Sequence, residues 1–247
     1  MPFSESPAAP AHLVESIERR VAEVRAHIEA ACARAGRDPG GVTLVAVTKT
    51  FPHEVIAAAA AAGLHDLGEN KVQELTEKAG ALPGARHGGA VRWHMIGHLQ
   101  RNKAKDVAAT ADVFHALDSR RLARELEKRC AAEGRVLDCF VQANVSGEDS
   151  KYGLAPEDVV PFVEEAAGHA HLRLVGLMTL AAPADDPEDV RPQFRRLHTL
   201  AARCRALGLP RAPMDCLSMG MSGDYEVAVE EGATHVRLGT ALFGPRT

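Results

Sequence analysis

The 247-residue sequence is poor in aromatic residues: Phe, Tyr and Trp together make up 4% of it, with one Trp and two Tyr. Proteins that hold single-stranded nucleic acid without sequence preference stack the bases on such side chains. The sequence also lacks an excess of positive charge, because its formal net charge is −4. It therefore has no general attraction to nucleic acid or to an anionic membrane. The low aromatic content and the negative net charge therefore argue against a protein that binds nucleic acid or an anionic membrane.

Cysteine is scarce and is not arranged in pairs. The number of cysteines is odd, and no Cys-x-x-Cys spacing occurs. A disulfide framework normally needs an even number of cysteines and an oxidising compartment. We therefore predict free thiols and a cytoplasmic protein. The five cysteines are Cys32, Cys130, Cys139, Cys204 and Cys216.

Long apolar runs are absent as well. No stretch approaches the ~20 apolar residues that a helix needs to cross a bilayer. The first residues, MPFSESPAAPAH, lack the basic start and the apolar core of a signal peptide. We predict that residues 1–11 form a flexible tail and that residues 12–247 form one domain.

What the sequence does contain is a regular alternation of short apolar segments and helix-like segments, after an amphipathic helix predicted over 12–35. The predicted strands are 42–48, 64–68, 91–97, 112–117, 137–145, 172–180, 214–220 and 234–239. The helix-like segments between them are 53–62, 70–80, 100–108, 119–133, 156–168, 188–206 and 222–231. Eight β/α units in ~250 residues are typical of a closed barrel.

The rival architecture is an open doubly wound sheet, which usually carries a glycine-rich turn after its first strand. In this sequence the first predicted strand is followed by KTFPHE, which contains no glycine. We therefore predict the α/β class, with a single (β/α)8 TIM-like barrel and an additional N-terminal helix.

Lys49 directly follows the first predicted strand. In a barrel, the carboxyl end of a strand faces the active-site mouth. Partial removal from water favours the neutral amine of a lysine, and a neutral amine is what an aldehyde needs to form an imine. The alternative is a strand-end lysine whose ammonium group simply reaches solvent. Lys49 alone does not decide between the two.

Two turns rich in glycine and hydroxyl residues lie near the C-terminus, SMGMSG after the seventh predicted strand and GTALFG after the eighth. Barrel enzymes often hold phosphate with these two loops. A helix predicted to start near Ser222 would offer free N–H groups, with Ser222 as its N-cap. Gly239 would let the backbone approach a ligand closely, and Thr240 would add a hydroxyl group. Each is an ordinary turn residue by itself, but together with Lys49 they indicate a site for an aldehyde that carries a phosphate.

Arg237 lies within the otherwise apolar eighth strand and needs a partner. One candidate is a buried carboxylate. The other is the ring nitrogen of pyridoxal phosphate (PLP), for which Asp or Arg is the usual protein partner. Because an arginine stays charged, it would leave that nitrogen unprotonated and make the ring a weak electron sink.

Six motifs closely resemble the pyridoxal phosphate homeostasis protein family and occur in the family's order. They are VAVTKTFP, LGENKVQE, WHMIGHLQRNK, SGEDSKYG, GLMTL and LSMGMSGDYEVAVEEGATHVRLGTALFG. The resemblance extends over residues 42–244. It implies a single-domain barrel related to the N-terminal domain of alanine racemase, with PLP held as a covalent aldimine on Lys49.

The resemblance also assigns the other site residues by motif position. It implies phosphate contacts from Ser222, Gly239 and Thr240, and a ring-nitrogen contact from Arg237. Asn70 in GEN and His94 in WHMIGH match motif positions at strand ends near the pocket. We predict that these residues, with Lys49, form the cofactor site.

The implied function is PLP homeostasis: a monomeric protein that binds and buffers the cofactor and delivers it to apo PLP-dependent enzymes, without catalysis. The first alternative is a racemase-like PLP enzyme. Racemisation needs a base on each face of the substrate, and alanine racemases take the second base, a tyrosine, from an additional domain and a partner subunit. Tyr152 and Tyr225 are the only tyrosines here. A second alternative is an aldolase-like barrel in which Lys49 forms an imine with a sugar phosphate and no cofactor is bound.

Two further motifs have ordinary explanations. HMIGH spaces His94 and His98 like a zinc-binding helix, but it lacks the glutamate and begins in a strand, where this spacing does not converge on one metal. We predict that no metal is bound. The segment SGEDSKYG (146–153) carries Lys151 and Tyr152 after the fifth strand and is either an ordinary polar loop or a gate at the mouth.

Overall fold

The computed structural model describes residues 9–82, 90–148, 152–182 and 184–245. Within them, eight parallel strands close into one barrel, in which each strand pairs with the next in sequence and β8 pairs with β1. The predicted (β/α)8 barrel is confirmed. The strands are β1 (Thr43–Val47), β2 (Asp66–Glu69), β3 (Arg92–Met95), β4 (Val113–Leu117), β5 (Leu137–Gln142), β6 (Leu172–Met178), β7 (Cys216–Ser218) and β8 (His235–Leu238).

The strands are buried on both faces because helices cover the outside of the barrel. Every residue of β4 and of β5 is buried, which explains why apolar residues predominate in both strands. The helices are α1 (Ala11–Ala35), α2 (His53–Ala61), α3 (Val72–Ala81), α4 (Ala104–Thr110), α5 (Arg120–Ala132), α6 (Pro156–Ala166), α7 (Arg191–Arg205), α8 (Tyr225–Glu230) and α9 (Thr240–Phe243).

The additional N-terminal helix, α1, lies across the outside of the barrel where the barrel closes. Ile17, Val21, Val24 and Ile28 recur every three or four residues and are all buried. They pack α1 against α2, α8 and α9, the helices that follow β1, β7 and β8. Each such side chain contributes roughly 1.5–3 kcal/mol when fully buried. The amphipathic pattern in the sequence therefore corresponds to a helix that fastens the first and last units together.

Two predictions near the C-terminus are wrong in detail. α8 begins at Tyr225, after Asp224, and not near Ser222. The segment GTALFG, predicted as a turn, contains the four-residue helix α9. A helix this short shows no 3.6-residue period in the sequence, and the flanking glycines indicate a turn just as well.

The absences noted in the sequence have structural counterparts. Within the described ranges, no helix is both long enough and apolar enough to cross a membrane. All five cysteines are free thiols, and four of them are buried. Of the predicted tail, residues 1–8 lie outside the described part of the chain, and α1 begins one residue before the predicted start.

The contact between β6 and β7 generates a test of the barrel's packing. A methyl group on Cα of Gly176 would lie 1.8 Å from the carbonyl oxygen of Cys216, and this oxygen belongs to the paired strand. Because backbone cannot move aside as a side chain does, we expect Gly176→Ala to lower the free energy of unfolding by more than about 2 kcal/mol. Urea denaturation measures this change.

Gly41→Ala is the matched control, since a methyl group there would meet no described atom within 4 Å. Its unfolding free energy should stay within about 0.5 kcal/mol of the unmodified protein. Equal urea midpoints for the two variants would contradict the assigned β6–β7 register.

Candidate functional site

Three of the predicted site residues lie at the same end of three neighbouring strands. Asn70 directly follows β2, Gly239 directly follows β8, and Lys49 lies two residues beyond the end of β1. In the barrel β1 has β2 on one side and β8 on the other. Because the strands are parallel, the residues after their carboxyl ends share one rim. The structure therefore brings these three residues to one part of the barrel mouth, where Lys49 is partly buried and Asn70 is exposed.

Gly239 lies at this rim in a position where neither its backbone conformation nor its neighbours require a glycine. Its φ of −117° is open to any residue, so the backbone conformation does not require glycine. A methyl group there would make an ordinary contact, 3.6 Å from the carbonyl oxygen of Val47. The missing side chain consequently opens space above the end of β1, close to Lys49 in the chain.

Ser222 and Thr240 place two hydroxyl groups on the loops next to this space. The Ser222 hydroxyl accepts a hydrogen bond from the backbone N–H of Ala241 at 3.3 Å, which joins the loop after β7 to the first turn of α9. Thr240 is the first residue of α9 and is exposed. Ser222 is not the N-cap that the sequence predicted, because its hydroxyl contacts α9 and α8 starts three residues later.

Arg237 is buried inside the barrel, with 4% of its surface exposed. Its Nη1 donates to Oγ of Ser218 at 2.6 Å, and its Nη2 donates to the carbonyl oxygen of Thr179 at 2.8 Å. Both of these partners are neutral. Burial lowers the pKa of Arg237 to about 10, against the opposing effect of the Asp224 carboxylate. The guanidinium group therefore remains charged at neutral pH.

A chain of buried hydrogen bonds continues from Arg237 across the barrel interior. Ser218 Oγ lies 2.8 Å from Nδ1 of His115, and Nε2 of His115 lies 2.8 Å from Nδ1 of His94. Nε2 of His94 lies 2.8 Å from a carboxylate oxygen of Asp66, the first residue of β2. Four hydrogen bonds thus link the arginine near the strand ends to a carboxylate at the opposite end of the barrel.

The proton positions along this chain follow from its two charged ends. The Asp66 carboxylate accepts, so Nε2 of His94 carries the proton and its Nδ1 accepts. Nε2 of His115 must then donate to His94, and Nδ1 of His115 must accept from the Ser218 hydroxyl. Burial lowers the pKa of both histidines, which keeps both rings neutral as this pattern requires. Every hydrogen bond is consequently donated in one direction, from Arg237 towards Asp66.

Asp66 is held in its charged form by the same contacts. Burial alone would raise the pKa of this carboxyl, but the hydrogen bond from His94 and the charge of Arg92 lower it below its usual value. The carboxylate side chain is 27% exposed, so solvent reaches this end of the chain.

The prediction that His94 stands at a strand end is wrong. His94 is the third of four residues in β3, it has no exposed surface, and its ring is directed to Asp66 and His115. It reaches Arg237 only through His115 and Ser218. The motif reading failed here because position in a strand does not tell which layer of the barrel interior a side chain enters.

Ser218, His115 and Thr179 belong to the site, and the sequence reasoning missed them. Each lies within a predicted strand whose other residues are mostly apolar. The available signal was a polar residue within a run that is buried on both faces, which always needs a partner. Arg237 was noticed for this reason, and the same argument applies to His115.

The remaining motifs lie beside the mouth. His98 stacks on Tyr152 with ring centroids 4.1 Å apart, and its Nδ1 is 3.5 Å from Asp118. Tyr152 is 60% exposed. Lys151, the other residue singled out in this loop, lies outside the described ranges. Among the residues that are described, no three His, Cys, Asp or Glu side chains are grouped so as to hold a metal ion.

Comparisons with known proteins identify relatives of the whole barrel. The family model described as "Alanine racemase, N-terminal domain" matches residues 20–247. A pyridoxal phosphate homeostasis protein of Aquifex aeolicus is 41% identical over 230 residues, which cover 92% of this chain and 97% of that protein. The counterpart from Escherichia coli K12 is 40% identical over 233 residues, covering 94% and 98%.

Solved structures extend these findings to the fold. PipY of Synechococcus elongatus PCC7942, solved with PLP bound, is 32% identical with a TM-score of 0.79, and the match covers 92% of this chain and all of that one. An alanine racemase from Corynebacterium glutamicum is 16% identical with a TM-score of 0.70, and the match covers 94% of this chain and 62% of that one. At this identity the second similarity concerns the fold alone.

The buried histidines generate a prediction about pH. Burial is the main cause that lowers the pKa of His94, His115 and His235, for His235 to about 3. In the unfolded chain a histidine has a pKa of about 6.5. Between these values the unfolded state binds more protons than the folded state, so stability falls as the pH falls. We expect a loss of up to about 1.4 kcal/mol per pH unit for each of these histidines below pH ~6.

Urea denaturation at several pH values between about 7.5 and 5 measures this slope. His235→Phe should remove the contribution of one histidine to the pH dependence of stability. A phenylalanine suits this position, because the ring of His235 packs with its centroid 5.0 Å from that of Phe140, an apolar neighbour. His12→Gln, at an exposed position on α1, controls for the loss of a histidine as such. A stability that is constant over the whole range would contradict the neutral, one-directional chain.

Proposed function

Since the chain belongs to the pyridoxal phosphate homeostasis protein family, we propose that it binds PLP at the barrel rim formed by Lys49, Asn70 and Gly239. The observation that carries the proposal is that the main chain of Lys49 lies just beyond the end of β1, the strand that pairs with β8. An aldehyde, a phosphate and a pyridine nitrogen are three of the polar parts of PLP, and we assign each of them to a group in this part of the barrel.

The aldehyde end is assigned to Lys49. The neutral amine of Lys49 adds to the aldehyde carbon, a C=N bond replaces C=O, and the carbonyl oxygen leaves as water. We propose the resulting aldimine as the resting state of the loaded protein. Support comes from the position of Lys49 two residues beyond the end of β1, because the pairing of β1 with β8 places its main chain near the loop that follows β8.

The phosphate end is assigned to Ser222, Gly239 and Thr240. The loops that carry these residues are tied together by the hydrogen bond between Ser222 and Ala241. A dianion bound there would accept from the hydroxyl groups of Ser222 and Thr240. The space left by the absent side chain of Gly239 suits close approach of such a group.

The ring nitrogen is assigned to Arg237, whose charge keeps that nitrogen unprotonated. Ser218 and Thr179 hold the guanidinium group on one side, and the Asp66–His94–His115 chain holds Ser218. We therefore propose that His94 contributes indirectly, by fixing Arg237. Asn70 is proposed as a rim contact, because it follows β2 directly and is exposed there.

We propose a carrier that keeps PLP available, and no catalysis of its own. Racemisation would need a second base opposite Lys49. Tyr225 is engaged elsewhere, since its hydroxyl group lies 2.9 Å from Nδ1 of His27 on α1, outside the barrel. Tyr152 is stacked on His98. The permanent charge of Arg237 further reduces the ring's capacity to stabilise a carbanion.

The setting of this function is proposed on the same basis. The free thiols fit a reducing compartment, so we place the protein in the cytoplasm. We further propose that it acts as a monomer and that its partners are apo PLP-dependent enzymes, which would receive the cofactor from the exposed rim.

The decisive experiment locates the covalent bond. We expect borohydride reduction of the PLP-loaded protein, followed by peptide mass spectrometry, to place a pyridoxyl group on Lys49. Lys49→Ala should remove the label from that peptide, and Lys71→Ala, which changes an exposed lysine beside Asn70, should keep it.

Three results would contradict the proposal in different ways. Label in the unmodified protein on another lysine would displace Lys49. A colourless protein that takes up no PLP would favour the aldolase-like alternative. Racemase turnover that depends on Lys49 would replace the carrier by an enzyme.

The phosphate assignment has its own test. We expect Ser222→Ala combined with Thr240→Ala to raise the Kd about 10²- to 10⁴-fold, because a hydrogen bond to a charged group is worth roughly 1.5–3 kcal/mol. Calorimetric titration with pyridoxamine 5′-phosphate, which has no aldehyde, isolates this contact. Thr199→Ala, an exposed threonine on α7, is the control. An unchanged Kd in the double variant would place the phosphate elsewhere.

A further inference from the structure

We propose that a buried ion cluster formed by Glu69, Lys78 and Glu74 positions Lys49 by holding the residues on either side of it. The proposal deepens the proposed function and rests on the role given there to Lys49. The cluster lies between β2, which carries Glu69, and α3, which carries Glu74 and Lys78 four residues apart. None of its members has a role in the function as proposed so far.

The cluster grips the residue before Lys49 in two ways. Nζ of Lys78 donates to the backbone carbonyl oxygen of Thr48 at 2.8 Å. The hydroxyl group of Thr48 donates to Oε1 of Glu69 at 2.6 Å. Thr48 is completely buried, so neither contact competes with water. The carbonyl group and the side chain of Thr48 are therefore both fixed.

The residue after Lys49 is held by the other carboxylate. The backbone N–H of Thr50 donates to Oε2 of Glu74 at 2.7 Å. Thr50 has a φ of 68°, in the left-handed region, which a β-branched residue rarely adopts. Such a conformation persists only where surrounding contacts enforce it. The hydrogen bond to Glu74 is one such contact, and it sets the direction in which the chain leaves Lys49.

Lys78 is fully used by these contacts. Its ammonium group has three N–H donors, and it has three acceptors: Thr48 at 2.8 Å, Glu69 at 2.8 Å and Glu74 at 3.2 Å. It is 5% exposed. Lys78 is consequently a fixed cation that joins both carboxylates to the main chain beside Lys49.

The carboxylates respond to this arrangement in opposite directions. Burial raises the pKa of Glu69, only partly offset by Lys78 and Thr48. For Glu74, burial is outweighed by the hydrogen bonds from Thr50 and Lys78, and the pKa is lowered. The second oxygen of Glu69, Oε2, is buried and has no hydrogen-bond partner among the described residues.

Stability alone is a poor explanation for such a cluster. Buried ion pairs often contribute little, and apolar side chains of similar size can replace them without loss. What an apolar cluster could not do is hold a carbonyl group at one residue and an N–H group two residues later. The contacts converge on Thr48 and Thr50, and the only residue between them is Lys49.

The test separates covalent bond formation from non-covalent binding. In Lys78→Met we expect the bond to PLP to form about 10- to 100-fold more slowly, because small misplacements of a reacting group have effects of this size. The Kd for pyridoxamine 5′-phosphate should change less than about twofold, since no phosphate contact is altered. Stopped-flow absorbance and calorimetry measure the two quantities. A rate unchanged from the unmodified protein would overturn the proposal.

A second readout needs no cofactor. Hydrogen exchange of the Thr50 amide in the cofactor-free protein should become at least about tenfold faster in Lys78→Met and in Glu74→Gln, because the bond to Glu74 is weakened in both. Glu77→Gln, on the same helix but exposed, should leave both the rate of bond formation and the exchange unchanged. Unchanged exchange at Thr50 in Glu74→Gln would also contradict the proposal.

Glu74→Gln provides the answer if Lys78→Met does not fold, since it retains the Lys78–Glu69 contact. Bond formation in Glu74→Gln should also be slower than in the unmodified protein, but by a smaller factor than in Lys78→Met. An unaltered rate in Glu74→Gln would contradict the proposal. Failure of the proposed function looks different. The unmodified protein would then form no bond at Lys49, while exchange at Thr50 would still report whether the cluster holds the chain.

Discussion

The pairing of β8 with β1 is the constraint on which the site depends. Four consecutive residues of β1, from Thr43 to Ala46, are in register with His235 to Leu238. This contact joins residues that are 192 positions apart in the chain and turns eight β/α units into a closed barrel. Without it, Lys49 would have no fixed relation to Arg237 or to the loops after β7 and β8. Helix α1 covers this region from outside, so the burial of its apolar face and the geometry of the rim are linked.

Closure also puts a positive charge inside the barrel, and the interior is organised around it. The acceptors that contact the guanidinium group of Arg237 are neutral. Along the hydrogen-bond chain, the first negative charge is the carboxylate of Asp66, at the opposite end of the chain. Because all the donors point the same way, each hydrogen bond polarises the next. Protonating either imidazole would place a second positive charge on the chain. It would also turn the Nδ1 of that ring from a hydrogen-bond acceptor into a donor. Burial and the arginine's charge therefore act together to keep His115 neutral.

The sequence predicted the architecture well, because buried parallel strands are apolar runs and the alternation with helices is regular. Lys49, Arg237, Gly239 and Thr240 were recognisable since each ends or interrupts such a run. Pairings across the barrel were not recognisable: His115 and Ser218 are 103 residues apart and meet only after closure. The role of Ser222 as an N-cap was mistaken for a related reason, since the start of α8 depends on how the preceding loop packs. Thr50 gave no signal either, because a left-handed threonine is a consequence of contacts made elsewhere.

Lys78 and Lys49, the two lysines near the rim, have the same functional group but different surroundings, and their roles differ accordingly. Lys78 lies between β2 and α3, where three acceptors surround its ammonium group. Such a group is useful only as a charge. Lys49 is at the end of β1, partly exposed, and the contacts of Thr48 and Thr50 define where its side chain begins. In the proposed function, a charged lysine that holds the main chain therefore supports a second lysine that bonds to the cofactor. The residue that does the holding lies 29 positions away from the residue that it serves, which is why the two are connected only in the folded barrel.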